Sequence, residues 1–206
     1  EVFVPLVGRF NVSNLLCIYG AALSLGFSET DVLCVLSTLH PVNGRFETIH
    51  SPKGWTAIVD YAHTPDAIEN VLRTLREITD GRLFIVFGAG GDRDRRKRPL
   101  MGKAAFNNAD YLIITSDNPR SEQPSAIIED ILEGIPGTGV GEQPPSDAPE
   151  VSIIEDRREA IVYAVKTANQ PGDVVLIAGK GHEDYQIFAD HTEHFDDIEE
   201  LKAAAL

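Results

Sequence analysis

Short apolar runs alternating with amphipathic stretches dominate the chain from residue 45 onward. Residues 55–61, 83–87, 111–116, 151–154 and 174–178 read as strands, and residues 46–50 as a further strand joined to 55–61 by the turn sequence Ser51-Pro52-Lys53-Gly54. Between them lie helical patterns. Thr64-Pro65-Asp66 places a cap and a first-turn proline ahead of a helix to about residue 79. Further helices are expected over 99–108, 124–133, from a cap at Asp156 to 169, and over 198–206, where acids fill the first turn. Residues 134–149 are rich in Gly and Pro and read as a loop. Strands alternating with helices of about 10–15 residues imply βαβ units and a mostly parallel sheet.

The first 44 residues do not follow that alternation. Residues 2–7 suggest a short strand. Val12, Leu15, Leu16, Tyr19, Ala22, Leu23 and Leu25 form a helical stripe over 11–26, with Gly26 as its stop. Ser28 with Asp31 opens a second helix to about residue 39, before Pro41. We therefore place a boundary near residue 44. Residues 1–44 are expected to be the end of one domain and residues 45–206 an α/β domain with a mostly parallel sheet.

The 206 residues are 43% hydrophobic, enough for a real core. A net charge of −14 argues against a general nucleic-acid or anionic-membrane surface. Cys17 and Cys34 fall in helical patterns and read as reduced, buried thiols of a cytoplasmic protein. No signal peptide or apolar run of about 20 residues is present, so no span is expected. The chain starts without Met and reads as a piece of a longer protein.

Candidate chemistry gathers after the strands, where open α/β sheets bind ligands. Asp117-Asn118-Pro119-Arg120 follows 111–116. Pro119 fixes its own φ and biases Asn118 to extended geometry. The Arg120 fork suits a carboxylate, and Asp117 and Asn118 suit an ammonium, so the tetrapeptide could hold a zwitterionic amino acid, or it is a polar loop. Asp60 ends a strand and could accept ribose hydroxyls. His63 precedes a helix N-terminus, where phosphate is favoured, though Thr64 and Asp66 would also merely cap that helix. Gly88-Ala89-Gly90-Gly91 lets backbone approach a ligand, but matches neither a Walker loop nor a dinucleotide fingerprint. Its neighbours Arg93, Arg95, Arg96, Lys97 and Arg98 face Asp92 and Asp94 and also read as a solvated loop. Gly179 and Glu183 follow the last strand, and Glu183 could receive an ammonium. Asn11 and Asn14 open the first helix as caps or as partners of a heterocycle such as adenine. Arg45 stands at the boundary, as a surface residue or a phosphate contact. His191 and His194 have no third ligand in register, and no metal site is expected there.

The ordered set GRFNVSNLL, GRFE, DYAHTPD, GAGGDRDRRKRPLMG, DNPR and AGKGHEDYQ resembles the Mur ligases over essentially the whole chain. The resemblance is strongest to the branch that adds meso-2,6-diaminopimelate to UDP-N-acetylmuramoyl-L-alanyl-D-glutamate. It implies a Rossmann-like α/β C-terminal domain that binds the amino acid (residues 45–206), preceded by the helical end of a central ATPase domain (residues 1–44). It also implies an ATP-dependent acid–amino-acid ligase working through an acyl phosphate. Asn11, Asn14, Arg45, Asp60 and, more weakly, His63 would serve ATP. Arg93, Asp117, Asn118, Pro119, Arg120, Gly179 and Glu183 would form the meso-diaminopimelate pocket. Arg120 would recognise the additional carboxylate that lysine lacks. The family's P-loop, magnesium ligands and modified lysine do not occur in these residues. Mg2+ would thus be bound mainly elsewhere, catalytic residues proper would lie outside this chain, and the chain alone would not ligate. The implied partners are small molecules, namely ATP, meso-diaminopimelate and the UDP-MurNAc-dipeptide, acting on a cytoplasmic monomer without nucleic acid or membrane. A non-catalytic Mur-ligase-like module and a folylpolyglutamate synthetase are the alternatives.

Overall fold

Apolar strands need cover on both faces, and this requirement shapes most of the molecule. A computed structural model describes all residues except 1, 2, 5, 7, 41, 140–142 and 206, and for Arg9 and Phe10 the backbone only. The chain divides into two compact units, Glu1–Val42 and Asn43–Leu206.

The first unit holds α1 (Arg9–Ser24) and α2 (Glu29–Leu36). Gly26, at φ 90°, closes α1: its N–H donates to Leu23 O at 3.0 Å and Phe27 N–H donates to Ala22 O at 3.2 Å, pairing two end carbonyls. Ser28 caps α2 by accepting Asp31 N–H at 3.2 Å. The helix stops at Leu36, short of the expected residue 39. Phe3, Val4 and Leu6 carry no strand, and residues 2, 5 and 7 of that expected strand lie outside the described residues. Of the expected α1 stripe, Leu15, Tyr19 and Ala22 are half-buried, while Val12, Leu16, Leu23 and Leu25 are exposed. Cys17 and Cys34 are free and exposed, which corrects the expectation of buried thiols. Each stands two residues from the covered positions of its helix, Leu15 and Tyr19 or Val32 and Leu36, and so about 200° round from them.

The second unit runs β1 (Glu47–His50), β2 (Thr56–Asp60), α3 (Pro65–Ile78), β3 (Leu83–Phe87), α4 (Lys97–Phe106), β4 (Tyr111–Ile114), α5 (Pro124–Leu132), β5 (Glu150–Ile153), α6 (Arg157–Thr167), β6 (Val174–Ala178), β7 (Tyr185–Ile187), β8 (Thr192–His194) and α7 (Asp197–Ala205). Six strands form one sheet in the order β1-β2-β6-β3-β4-β5, in which only β1 is antiparallel to its neighbour. Successive residues of β3 serve opposite faces. Leu83, Ile85 and Phe87 pack with Ile68 and Leu72 of α3, Met101 of α4 and Ile127 of α5. Phe84 and Val86 pack with Ala160, Ile161 and Ala164 of α6 and Leu201 of α7. The result is a doubly covered α/β layer structure, as the apolar runs imply.

Helix starts follow local chemistry. Thr64 accepts Ala67 N–H at 3.3 Å and Asp156 accepts Glu159 N–H at 2.9 Å. α4 begins at Lys97, ahead of the expected residue 99, because Pro99 sits in the first turn, where its missing N–H costs no bond. The β7–β8 hairpin, antiparallel with Gln186 opposite Glu193, is an addition to the expected elements.

From β3 the chain steps outward to β4 and β5 with α4 and α5 on one face, then returns along the other face through α6 to β6, beside β3. The carboxyl ends of β2, β6, β3 and β4 therefore lie side by side, at the point where the winding reverses.

Candidate functional site

Two of the four loops at this edge are clasped together by backbone and side-chain hydrogen bonds. Gly91 N–H donates to Asn118 O at 2.9 Å, Asp92 N–H to Glu122 Oε1 at 2.7 Å and Ser121 Oγ to Asp92 Oδ1 at 2.6 Å. A Cβ on Gly91 would overlap the carbonyl oxygen of the buried Pro119, so the residue after Gly90 has to be glycine for the loops to meet. Asp92 and Arg120 both take left-handed backbone, at φ 54° and 52°. Such outliers persist only where surrounding contacts hold them.

β7 locks the other side. Arg120 N–H donates to Ile187 O at 3.0 Å, Ile187 N–H to Asn118 Oδ1 at 3.0 Å, and Gln186 Nε2 to Asp117 O at 2.7 Å. This hairpin was not legible in the sequence; its only signal is Tyr185 and Ile187 flanking Gln186, too short a pattern to read as a strand.

Within this frame Asp117, Asn118, Arg120, Gly179 and Glu183 come together. Asn118 Nδ2 donates to Glu183 Oε2 at 2.9 Å, and Tyr61 Oη donates to Glu183 Oε1 at 3.4 Å. Gly179, at φ 119°, lies against Asp117, whose Oδ2 would be 3.5 Å from a Cβ there. Arg120 Nη1 donates to Gly91 O at 2.9 Å and Asn118 O at 3.3 Å, while its Nη2 and Nε make no hydrogen bond among the described residues. Arg93 is exposed beside the same loop, with Nη1 on Asp92 O at 3.2 Å.

Lys180 sits under this group, fully buried. Its Nζ lies 3.2 Å from Asn118 Oδ1, 3.5 Å from Asp117 Oδ1 and 3.8 Å from Glu183 Oε2. Burial lowers its pKa, and the Asp117 charge opposes that. Behind it, Arg157 and Asp197 form a fully buried two-bond ion pair, at 2.8 Å for each bond. Arg157 also donates to Ala178 O at 3.1 Å and Ser116 O at 3.5 Å, the residues just before Gly179 and Asp117. The roles of Lys180, Tyr61 and Arg157 were not legible in the sequence, because a lysine between glycines or an arginine opening a helix reads as solvated.

A second group lies at the end of β2. Asp60 is nearly buried and its Oδ2 accepts Phe46 N–H at 2.9 Å; burial raises its pKa against Phe46, Ala62 and Arg45. Arg45 is exposed and stacks over the Tyr61 ring at 4.5 Å. His63 Nδ1 lies 2.7 Å from Tyr61 O, with its ring edge-on to Tyr61 at 4.5 Å. Tyr61 thus touches both groups. Asn11 and Asn14 belong to α1 of the first unit, where Asn14 Nδ2 donates to Asn11 Oδ1 at 3.4 Å.

The basic run divides by role. Arg96 pairs with Asp94 and Arg95 with Asp130 on the surface. Arg98 is buried and grips both Glu122 oxygens, at 2.7 and 2.9 Å, together with Asp130 Oδ2 at 2.7 Å and Gly90 O at 3.2 Å. Among the described residues no group of three His, Cys, Asp or Glu side chains could hold a metal ion.

Residues 44–181 match a family model described as Mur ligase, glutamate ligase domain. The chain is 53% identical over 204 residues to a UDP-N-acetylmuramoyl-L-alanyl-D-glutamate–2,6-diaminopimelate ligase of Parabacteroides distasonis, covering 98% of the chain and 40% of the relative. It is 50% identical over 199 residues to the ligase of the same name in Geobacillus thermodenitrificans, covering 97% and 39%. A solved structure of a ligase so named, 43% identical, superposes with a TM-score of 0.73 over 99% of this chain and 40% of that one. The UDP-N-acetylmuramate-alanine ligase of Thermotoga maritima, 24% identical, shares the fold at a TM-score of 0.65 over 99% of this chain and 39% of that one. The chain spans about 40% of the length of these relatives. With the matched region embracing the whole β2–β6 edge, the chain belongs to the Mur ligase family.

Proposed function

We propose that this chain is the amino-acid-binding part of an ATP-dependent amide ligase that adds meso-2,6-diaminopimelate to UDP-N-acetylmuramoyl-L-alanyl-D-glutamate in peptidoglycan precursor synthesis. The observation that carries the reading is the meeting of Asp117, Asn118, Arg120, Gly179 and Glu183 at one sheet edge. Asp117 and Glu183 offer oxygens to an ammonium. Arg120, with Nη1 held by backbone carbonyls, offers its remaining donors to a carboxylate. Gly179 keeps backbone within reach of the ligand. Arg93 adds a second cation at the rim. The names of the relatives, 2,6-diaminopimelate ligases, support the same substrate.

Arg45, Asp60 and His63 fit a nucleotide, with a cation stacked on Tyr61, an oriented carboxylate for hydroxyls and a histidine at the start of α3. Asn11 and Asn14 supply amides suited to adenine. ATP supplies the phosphoryl group that activates the glutamyl carboxyl. Mg2+ accompanies it and is assigned no ligand from this chain. We further propose that the ligase is a cytoplasmic monomer acting on small molecules. Among the described residues no helix is long and apolar enough to cross a membrane.

Arg120→Ala tests the reading. It is expected to weaken meso-diaminopimelate binding by about 2–4 kcal/mol, roughly 30- to 700-fold, because a ligand carboxylate is left without its partner. L-Lysine, which has no second carboxylate, should lose far less. Equal losses for both amino acids, read by calorimetric titration, would remove Arg120 from substrate recognition.

A further inference from the structure

Lys180 is fully buried, beneath the side chains that form the proposed pocket. Its three oxygen neighbours come from Asp117, Asn118 and Glu183, the same side chains that face the amino-acid site. A fourth neighbour is the Tyr185 ring of β7, 5.6 Å from Nζ. The neighbouring Arg157 is balanced by Asp197. Apart from Arg120, whose free donors are offered to the ligand carboxylate, that leaves Asp117 and Glu183, two formal negative charges, facing the one buried positive charge of Lys180.

Resting on the proposed function, we infer that Lys180 is a positioning and specificity residue: its ammonium forms the floor of the pocket, fixes the Asn118 amide towards Glu183, and sets the net charge that favours an amino acid with two ammonium and two carboxylate groups over one with an uncompensated ammonium. Two features support this role. Asn118 Oδ1 is held by Lys180 Nζ and Ile187 N–H, which leaves Nδ2 to donate to Glu183. Lys180 also reaches two carboxylates brought from strand ends 63 residues and 3 residues away, so one side chain ties the β4 and β6 loops together.

Removing the ammonium makes the site more negative. L-Lysine, a net cation, then gains relative to meso-diaminopimelate, which is net neutral. A residue that only filled space would lower both affinities in proportion. The test compares the parent chain with Lys180→Met and with Lys180→Gln, which keeps a donor but not the charge. Calorimetric titration with each amino acid is paired with the Asn118 side-chain amide signals in NMR spectra of the ligand-free protein.

The expected result is a loss of about tenfold or more in meso-diaminopimelate affinity and a fall of about fivefold or more in its preference over L-lysine in both variants, with the Asn118 signals displaced. An unchanged preference in both variants would overturn the inference, as would Asn118 signals that stay where they are. A parent chain that binds neither amino acid overturns the proposed function instead. The Asn118 signals of the variants then decide the positioning role of Lys180 on their own.

Discussion

Arg157→Met is expected to lower the unfolding free energy by about 3–5 kcal/mol, the cost of leaving one half of a buried ion pair without its partner. For a domain of this size the midpoint should fall by roughly 6–20 °C. Arg157 and Asp197 are both fully buried, and the pair makes two bonds of 2.8 Å. Without the guanidinium, Asp197 loses its hydrogen-bonded partner and keeps only the weaker attraction of the Lys180 charge, and Ala178 O and Ser116 O lose a donor. Those carbonyls precede Gly179 and Asp117, so amino-acid binding should weaken along with stability. Arg157→Met combined with Asp197→Leu should recover a good part of the loss, because no unpaired charge remains. Thermal denaturation of the single and double variants decides the matter. A single variant within about 1 kcal/mol of the parent would show that the pair does not hold the strand ends.

Arg98→Met is expected to cost about 3 kcal/mol, at the low end of the same range, since Arg95 remains beside Asp130. The Arg98 guanidinium binds both oxygens of Glu122 and reaches Gly90 O, so it supports the Gly88–Gly91 loop from below. Its contact is the first cause holding the Glu122 pKa at about 2, against an ordinary 4.5, with burial opposing and Asp92 N–H assisting. The folded-state value lies below the unfolded one, so this stabilisation is complete above pH 4.5 and is lost as pH falls towards 2. Denaturation midpoints measured across that window should drop more steeply for the parent than for Arg98→Met. Parallel acid slopes would assign the effect to other carboxylates.

The strands were legible because their physical task leaves a mark. Residues 83–87 and 174–178 are covered on both faces, so they are apolar throughout, and the structure places β3 and β6 there without a shift. The helix caps at Ser28, Thr64 and Asp156 were equally local and equally readable. The loops after the strands were legible as places for chemistry, because parallel strands bring their carboxyl ends to one edge. What holds those loops was not. Arg98 pairs with residues 24 and 32 positions away, and Arg157 with one 40 positions away. A cation whose partner is that distant looks like a surface residue. Lys180 was hidden for the same reason, between two glycines in a polar loop. The β7–β8 hairpin has three residues per strand, too few for a period to register. The cysteines misled because a helical pattern does not say which face finds cover.

The proposed function stands or falls on whether the β4 and β6 loops bind meso-diaminopimelate. The most direct measurement is a calorimetric titration of the 206-residue chain with meso-diaminopimelate, with L-lysine in parallel. Saturable binding of meso-diaminopimelate and markedly weaker binding of L-lysine are expected. Equal affinity for the two, or no heat from meso-diaminopimelate with a chain whose thermal unfolding is cooperative, would contradict it.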